Sequence, residues 1–154
     1  MLDMLVKLYS LPEKKTEAVE KRGVLIRRPL ASEKTKVTHW IKTHFSQGWA
    51  DECDVTFSRH PVATFIAVID SKIVGFASYD AACRNFFGPM GVEQSARGKG
   101  IGEALLLEAL WSMSIQGYAY AIIGGVGPAD FYAKTVGAVL IEGSESGIYA
   151  TPLK

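Results

Sequence analysis

Residues 91–102 read Gly91-Val92-Glu93-Gln94-Ser95-Ala96-Arg97-Gly98-Lys99-Gly100-Ile101-Gly102, the end of a strand-like run and a glycine-rich turn that opens directly into a long apolar helix. Three glycines alternating with other residues let the main chain approach a ligand closely, and a helix start presents unpaired N–H groups and the positive end of its dipole. Arg97 and Lys99 add positive charge at the same point. The turn therefore reads as a backbone cradle for phosphate. It does not fit a Walker A loop, because Lys99 is followed by Gly100 and no hydroxyl is in register. It fits the dinucleotide fingerprint poorly as well, since Gly98-x-Gly100-x-Gly102 has the wrong spacing and lies well past the first strand–turn–helix unit.

Downstream, Ile101, Ala104, Leu105, Leu106, Leu107, Ala109, Leu110, Trp111 and Met113 leave only Glu103, Glu108, Ser112 and Gln116 as a polar minority, so this helix must be largely buried. Gly117 is a natural cap, and Tyr118 to Val126 reads as the next strand. Strand, glycine turn, helix and strand make one crossover unit, which puts the phosphate cradle at the carboxyl end of a strand and the amino end of a helix. Pro128 can open a second helix running through Phe131 and Tyr132 to Gly137, and residues 138–141 and 147–151 supply two closing strand candidates.

Upstream, Phe86 to Val92 is a strand candidate interrupted by Gly88, Pro89 and Gly91, the kind of interruption a splayed strand needs. Ala63 to Ile69 and Ile73 to Tyr79, separated by Asp70-Ser71-Lys72, form a hairpin pattern. Residues 48–60 hold Trp49, Asp51, Glu52, Asp54, Phe57 and His60 in no regular period, and suit either a polar loop with aromatic anchors or the lining of a pocket. Ser32 can cap a helix through Trp40 to His44, Val24 to Arg28 is a short strand, and residues 1–22 form an N-terminal arm that suits packing on the domain or contact with a partner. The alternation predicts a single α/β (α+β) domain over residues 1–154, with a mixed sheet flanked by helices.

Composition removes several classes of function. Seventeen basic and 16 acidic residues give a net charge of +1, with no basic patch interleaved with aromatics, so nucleic-acid binding is not indicated. No run approaches a bilayer span and the N-terminus lacks the pattern of a signal peptide, which predicts a cytoplasmic chain with no membrane partner. Cys53 and Cys83 match neither a metal nor a redox spacing and read as free thiols; no metal is expected. Apolar residues in the first eleven positions or on a strand edge suit either core packing or pairing of two chains, which leaves a homodimer open.

The turn matches the pyrophosphate signature Gln/Arg-x-x-Gly-x-Gly/Ala at Arg97-x-x-Gly100-x-Gly102, and the whole phrase from Gly91 to Gly102 resembles the strand, loop and helix start of the GNAT superfamily of acyl-CoA-dependent N-acyltransferases. The segment Phe131-Tyr132-x-Lys134 resembles that family's second landmark. The resemblance spans roughly residues 23–151, with its specific part at 90–137. It implies a mostly antiparallel sheet with a splayed central strand pair, acetyl-CoA as cosubstrate, and direct transfer to a primary amine of a small molecule or polypeptide. It further implies that the turn at Arg97, Gly98, Lys99, Gly100, Ile101, Gly102 and Glu103 holds the pyrophosphate. Met90 and Val92 would run beside the pantetheine, and Tyr132 would protonate the departing sulfur. The chain departs from the family pattern at Gly125, where Asn is frequent, and in the spacing from Tyr132 to Gly137. No general base is assigned: Asp80, Glu93 and the group Asp51, Glu52 and Asp54 are candidates, and water can relay the proton instead. A non-catalytic module of the same fold that only binds acyl-CoA is the alternative.

Overall fold

Seven strands form one sheet whose order follows the chain except that the first strand is inserted between the last two. The computed structural model describes residues 1–154. In chain order the strands are β1 (Met4–Lys7), β2 (Leu25–Arg27), β3 (Thr64–Ile69), β4 (Lys72–Tyr79), β5 (Phe86–Val92), β6 (Tyr120–Ile123) and β7 (Val139–Leu140). They lie in the order β2-β3-β4-β5-β6-β1-β7, and every neighbouring pair is antiparallel except β5 and β6. The helices are α1 (Thr16–Glu20), α2 (Lys34–His44), α3 (Gln47–Thr56), α4 (Ile101–Ile115) and α5 (Ala129–Val136).

The β3–β4 hairpin turns through Asp70 and Ser71, both at positive φ (49° and 62°), as the right-handed twist of a two-residue connection demands. Alternation along β3 then sorts the two faces: Phe65 and Ala67 join the core under α4, while Ile66 and Val68 face α2 and α3. On the α4 side, Leu105, Leu106, Leu107, Leu110 and Met113 are fully buried. A helix apolar on every side needs cover on its outer side too. Residues 8–22 supply it: Trp111 Nε1 donates to the Pro12 carbonyl at 2.8 Å, and the isolated Glu108 receives Thr16 Oγ1 at 3.0 Å and Lys14 Nζ at 2.9 Å.

Three elements differ from the sequence reading. Residues 47–56, read as an irregular loop, form α3; Ser46 Oγ accepts the Trp49 N–H at 3.2 Å as its cap, and the buried face is made of the small residues Ala50, Cys53 and Thr56 rather than a large apolar stripe. Its seat is polar: Thr56, Thr64 and Ser78 hydroxyls form a fully buried relay with 2.7 Å links, anchored on the Cys53 carbonyl. Residues 147–151, read as a closing strand, are not in the sheet, and Gly147–Tyr149 is a short 3-10 turn. The flank of β6 is taken by β1, which pairs Met4 with Ile123 on one side and with Leu140 on the other. Thus part of the N-terminal segment is an inner strand.

Beside β2, Arg27 donates twice to Glu33, each bond 2.8 Å, and the Leu30 N–H adds a third at 2.7 Å. Arg27 and the Leu30 N–H hold the Glu33 carboxyl down at about 2, well below the usual carboxylate range. Because the folded value is depressed, the stabilisation is fully present above the unfolded value and is lost as pH falls through the folded one. Glu33→Gln should cost about 1 kcal/mol in urea unfolding at neutral pH, a figure discounted for the partly exposed pair, and the gap to the parent should close as pH falls from about 4.5 toward 2.

Candidate functional site

The parallel neighbours β5 and β6 are paired at two positions only, Phe86 with Ile122 and Phe87 with Ile123. Beyond them the strands part. On β5 a register shift opposite Ala77–Tyr79 falls at Gly88, which takes a φ of +115°, and Pro89, which has no N–H to offer. On β6 the exit is held from the other flank: the Val126 N–H donates to the Leu2 carbonyl at 2.9 Å, and the Gly125 N–H donates to Asp3 Oδ1 at 2.8 Å. The gap is a cavity of about 1140 Å³, lined on one side by Phe86–Val92 and on the other by Gly124–Pro128. Glu93 N–H donates to the Val74 carbonyl at 2.9 Å, and strand alternation then turns the main-chain groups of Gly91 toward β4 and those of Met90 and Val92 toward the cavity.

The glycine turn closes one end. Arg97 Nε donates to the Val92 carbonyl at 3.0 Å, which fastens the turn to the end of β5. Gly98 and Gly100 stand at φ of +80° and +78°, where a side chain is strained, and Gly100 is the residue from which α4 starts, with no side chain capping its first N–H groups. Gly98, Gly100, Ile101, Gly102 and Glu103 line the cavity together with Arg97. Lys99 is exposed and lies outside that lining, so its contribution is charge beside the turn. A basic group absent from the sequence reading joins them: Arg22, at the end of α1, brings Nη2 to 3.4 Å from the position a Gly100 Cβ would occupy. Free N–H groups, a helix dipole and two nearby guanidinium groups fit the diphosphate of a coenzyme A.

Tyr132, in the second turn of α5, lies between the cavity and the core, only 7% exposed, with its ring edge-on to Phe87 and Phe131 at 6.3 and 5.1 Å. Its hydroxyl makes no hydrogen bond within the chain, and the oxygen is not fully enclosed, so it is open to the cavity. Burial pushes its pKa up to about 12, and the phenol is therefore protonated at neutral pH.

The opposite end is built by α3 and the C-terminal turn. Phe45 sits so tightly against β5 that a Cβ on Gly91 would collide with the edge of its ring, and Trp49 stacks on Phe45 at 5.2 Å. Glu52 lines the cavity, and Tyr149 donates to its Oε1 at 2.7 Å. Burial and the Glu52 carboxylate together push the Tyr149 pKa up. The other sequence candidates for a base are engaged elsewhere and do not line the cavity. Asp80 is buried and receives the Asn85 N–H and the Tyr118 hydroxyl; Glu93 receives Ser95 and lies 3.7 Å from His44; Asp51 receives Gln47; Asp54 pairs with Lys34. Neither Phe45 nor Tyr149 had a signal in the sequence, because each reaches the site only through the fold.

A family model described as an acetyltransferase (GNAT) domain matches residues 60–135. No curated protein matches the chain in sequence. Among solved structures, the glucosamine N-acetyltransferase region of a fungal multi-domain β-N-acetylglucosaminidase superposes with a TM-score of 0.73 at 16% identity, over 91% of this chain and 19% of that one. A related N-acetyltransferase from Sphaerobacter thermophilus gives 0.64 at 20% identity, over 91% and 48%. A GNAT family N-acetyltransferase from Escherichia coli in complex with CoA gives 0.57 at 20% identity, over 73% and 67%. At these identities the likeness is one of fold, and the chain spans less than half the length of the first two.

Gly100→Asp places a carboxylate in the cradle on a backbone that resists any side chain, and should weaken CoA binding by ~100-fold or more in calorimetric titration. Arg22→Ala removes one exposed cation and should weaken it only a few-fold, by roughly the 0.5–1 kcal/mol of an exposed charge contact.

Proposed function

Because the chain belongs to the GNAT superfamily, we propose that it is an acetyl-CoA-dependent N-acyltransferase that moves an acetyl group directly to a primary amine of a small molecule or polypeptide. The observation that carries this reading is the parting of β5 and β6 beside the start of α4, which sets a phosphate cradle, the cavity-facing main chain of β5 and an unpartnered phenol around one cavity. Residues 1–154 are read as one acetyltransferase domain in which residues 1–22 take part.

Acetyl-CoA supplies the acyl group as a thioester. The N–H groups at Gly100–Glu103, with Arg97 and the charge of Lys99 nearby, hold the diphosphate. The cavity-facing main chain of Met90 and Val92 lies along the pantetheine. The Val92 carbonyl is already taken by Arg97, so its N–H is the group left to polarise the thioester carbonyl. The amine nitrogen forms its bond to the acyl carbon as the carbon–sulfur bond breaks. Tyr132 gives its hydroxyl proton to the sulfur, the nitrogen gives up a proton to solvent, and the tyrosinate takes a proton back from solvent. Its high pKa keeps the phenol protonated at neutral pH, so that a proton is on hand where the thiolate develops.

Two measurements test the reading. Titration with CoA, with ATP and NAD as controls, should show selective binding in the micromolar range typical of substrates. Free-thiol release with acetyl-CoA and an amine panel should show turnover; CoA binding without turnover on any amine would make the chain an acyl-CoA-binding module instead. Tyr132→Phe should leave CoA affinity within a factor of about two and lower kcat by ~10- to 100-fold. Since the tyrosine is protonated below about 12, the parent enzyme's kcat should show no falling limb from this group at neutral or mildly alkaline pH.

A further inference from the structure

The cavity has two unlike ends. Three charged side chains line it: Arg97 and Glu103 belong to the glycine turn, and Glu52 stands alone at the other end. α3 carries Glu52 to the face of the sheet opposite α4, and the next residue, Cys53, is fully buried on the hydroxyl relay that seats this helix. The carboxylate is thus held on a fixed element. One of its oxygens accepts the Tyr149 hydroxyl; the other takes part in no hydrogen bond or ion pair within the chain. No Lys, Arg or His lines this end to neutralise it. Its surroundings are aromatic: Phe45 is wedged on Gly91, and Trp49 lies nearly parallel to it, 29° between planes, while remaining 37% exposed. A carboxylate with a free oxygen beside open aromatic surface attracts an organic cation and repels an anion.

We propose that this end is the acceptor subsite, and that it takes a primary ammonium carried on an apolar, preferably aromatic, body without any anionic group. The assignment rests on the acyl-transfer reading. The ammonium pairs with the free oxygen of Glu52 as it enters and gives one proton to solvent, so that it attacks as the neutral amine; the apolar body lies along Trp49 and Phe45, and Tyr149 orients the carboxylate through its hydrogen bond. Amino acids with a free carboxylate and phosphorylated amino sugars would bring a second negative charge against Glu52, where no basic side chain lines the cavity to receive it.

The test uses the full chain saturated with CoA, titrated with 2-phenylethylamine, and thiol-release kinetics with acetyl-CoA and 2-phenylethylamine, glutamate or glucosamine 6-phosphate. 2-Phenylethylamine should exceed both anionic amines in kcat/KM by ~100-fold or more. Glu52→Gln should weaken its binding and lower kcat/KM by at least about tenfold, the scale of a lost charged hydrogen bond, with CoA affinity unchanged. Trp49→Ala should raise KM for 2-phenylethylamine with little change in kcat. Equal or better use of an anionic amine, or an unchanged Glu52→Gln variant, with CoA binding intact, would overturn the acceptor assignment alone. A chain that fails to bind CoA would overturn the acyl-transfer reading and this assignment with it.

Discussion

Two paired positions, Phe86 with Ile122 and Phe87 with Ile123, join the halves of the sheet, and everything at the site depends on the pairing stopping there. A parallel pair that ran on would fill the cavity with its own ladder. Two separate devices prevent it. On β5 the bulge at Gly88–Pro89 turns the strand away, and on β6 the hydrogen bonds to Leu2 and Asp3 hold the exit loop to the opposite neighbour. The main-chain groups of Met90 and Val92 on β5, which would be costly if buried dry and unpaired, are then left facing the cavity.

The same parting gives the site its two-sided character. The cavity passes between strands rather than lying on one face, so it is bounded by α4 and α5 on one side of the sheet and by Phe45 and α3 on the other. Each side contributes what its packing allows. The α4 side presents a helix start with no capping side chain and glycines in left-handed conformation. The α3 side presents aromatic rings and one carboxylate, set firmly because the helix beneath them is seated by small residues and hydroxyls instead of large side chains with room to shift.

Much of this was legible in the residues before any geometry. The turn from Arg97 to Gly102 announces itself, because left-handed φ and an uncapped helix start need glycine. The hairpin around Asp70-Ser71 and the apolar run of α4 are equally local signals. Arg22, Phe45 and Tyr149 are different: nothing in their neighbours in sequence marks them, and they meet the site only because α1, α3 and the C-terminal turn are docked there, whereas Glu52 stands among the acidic candidates of residues 48–60 without anything to single it out from Asp51 and Asp54. α3 escaped notice because Ala50, Cys53 and Thr56 bury a face too small to produce apolar contrast. The strand over residues 147–151 was expected on local pattern, but its place in the sheet goes to a segment more than a hundred residues away, a competition that no window of sequence can reveal.

The position of β1 has a consequence for how the chain acquires its structure. Met4–Lys7 pairs with residues 120–123 and, through Met4 and Leu5, with residues 139–140, contacts of very large sequence separation. Loop-closure entropy makes such pairings slow, and during synthesis the first strand must wait while both of its partners are made. Until then the β6 exit loop lacks Leu2 and Asp3, and the outer face of α4 lacks its cover, so a nascent chain holds exposed apolar helix surface and open strand edges. Assembly of the cleft is therefore tied to a late closure of the fold, and a chain in which β1 is not yet paired has no finished site.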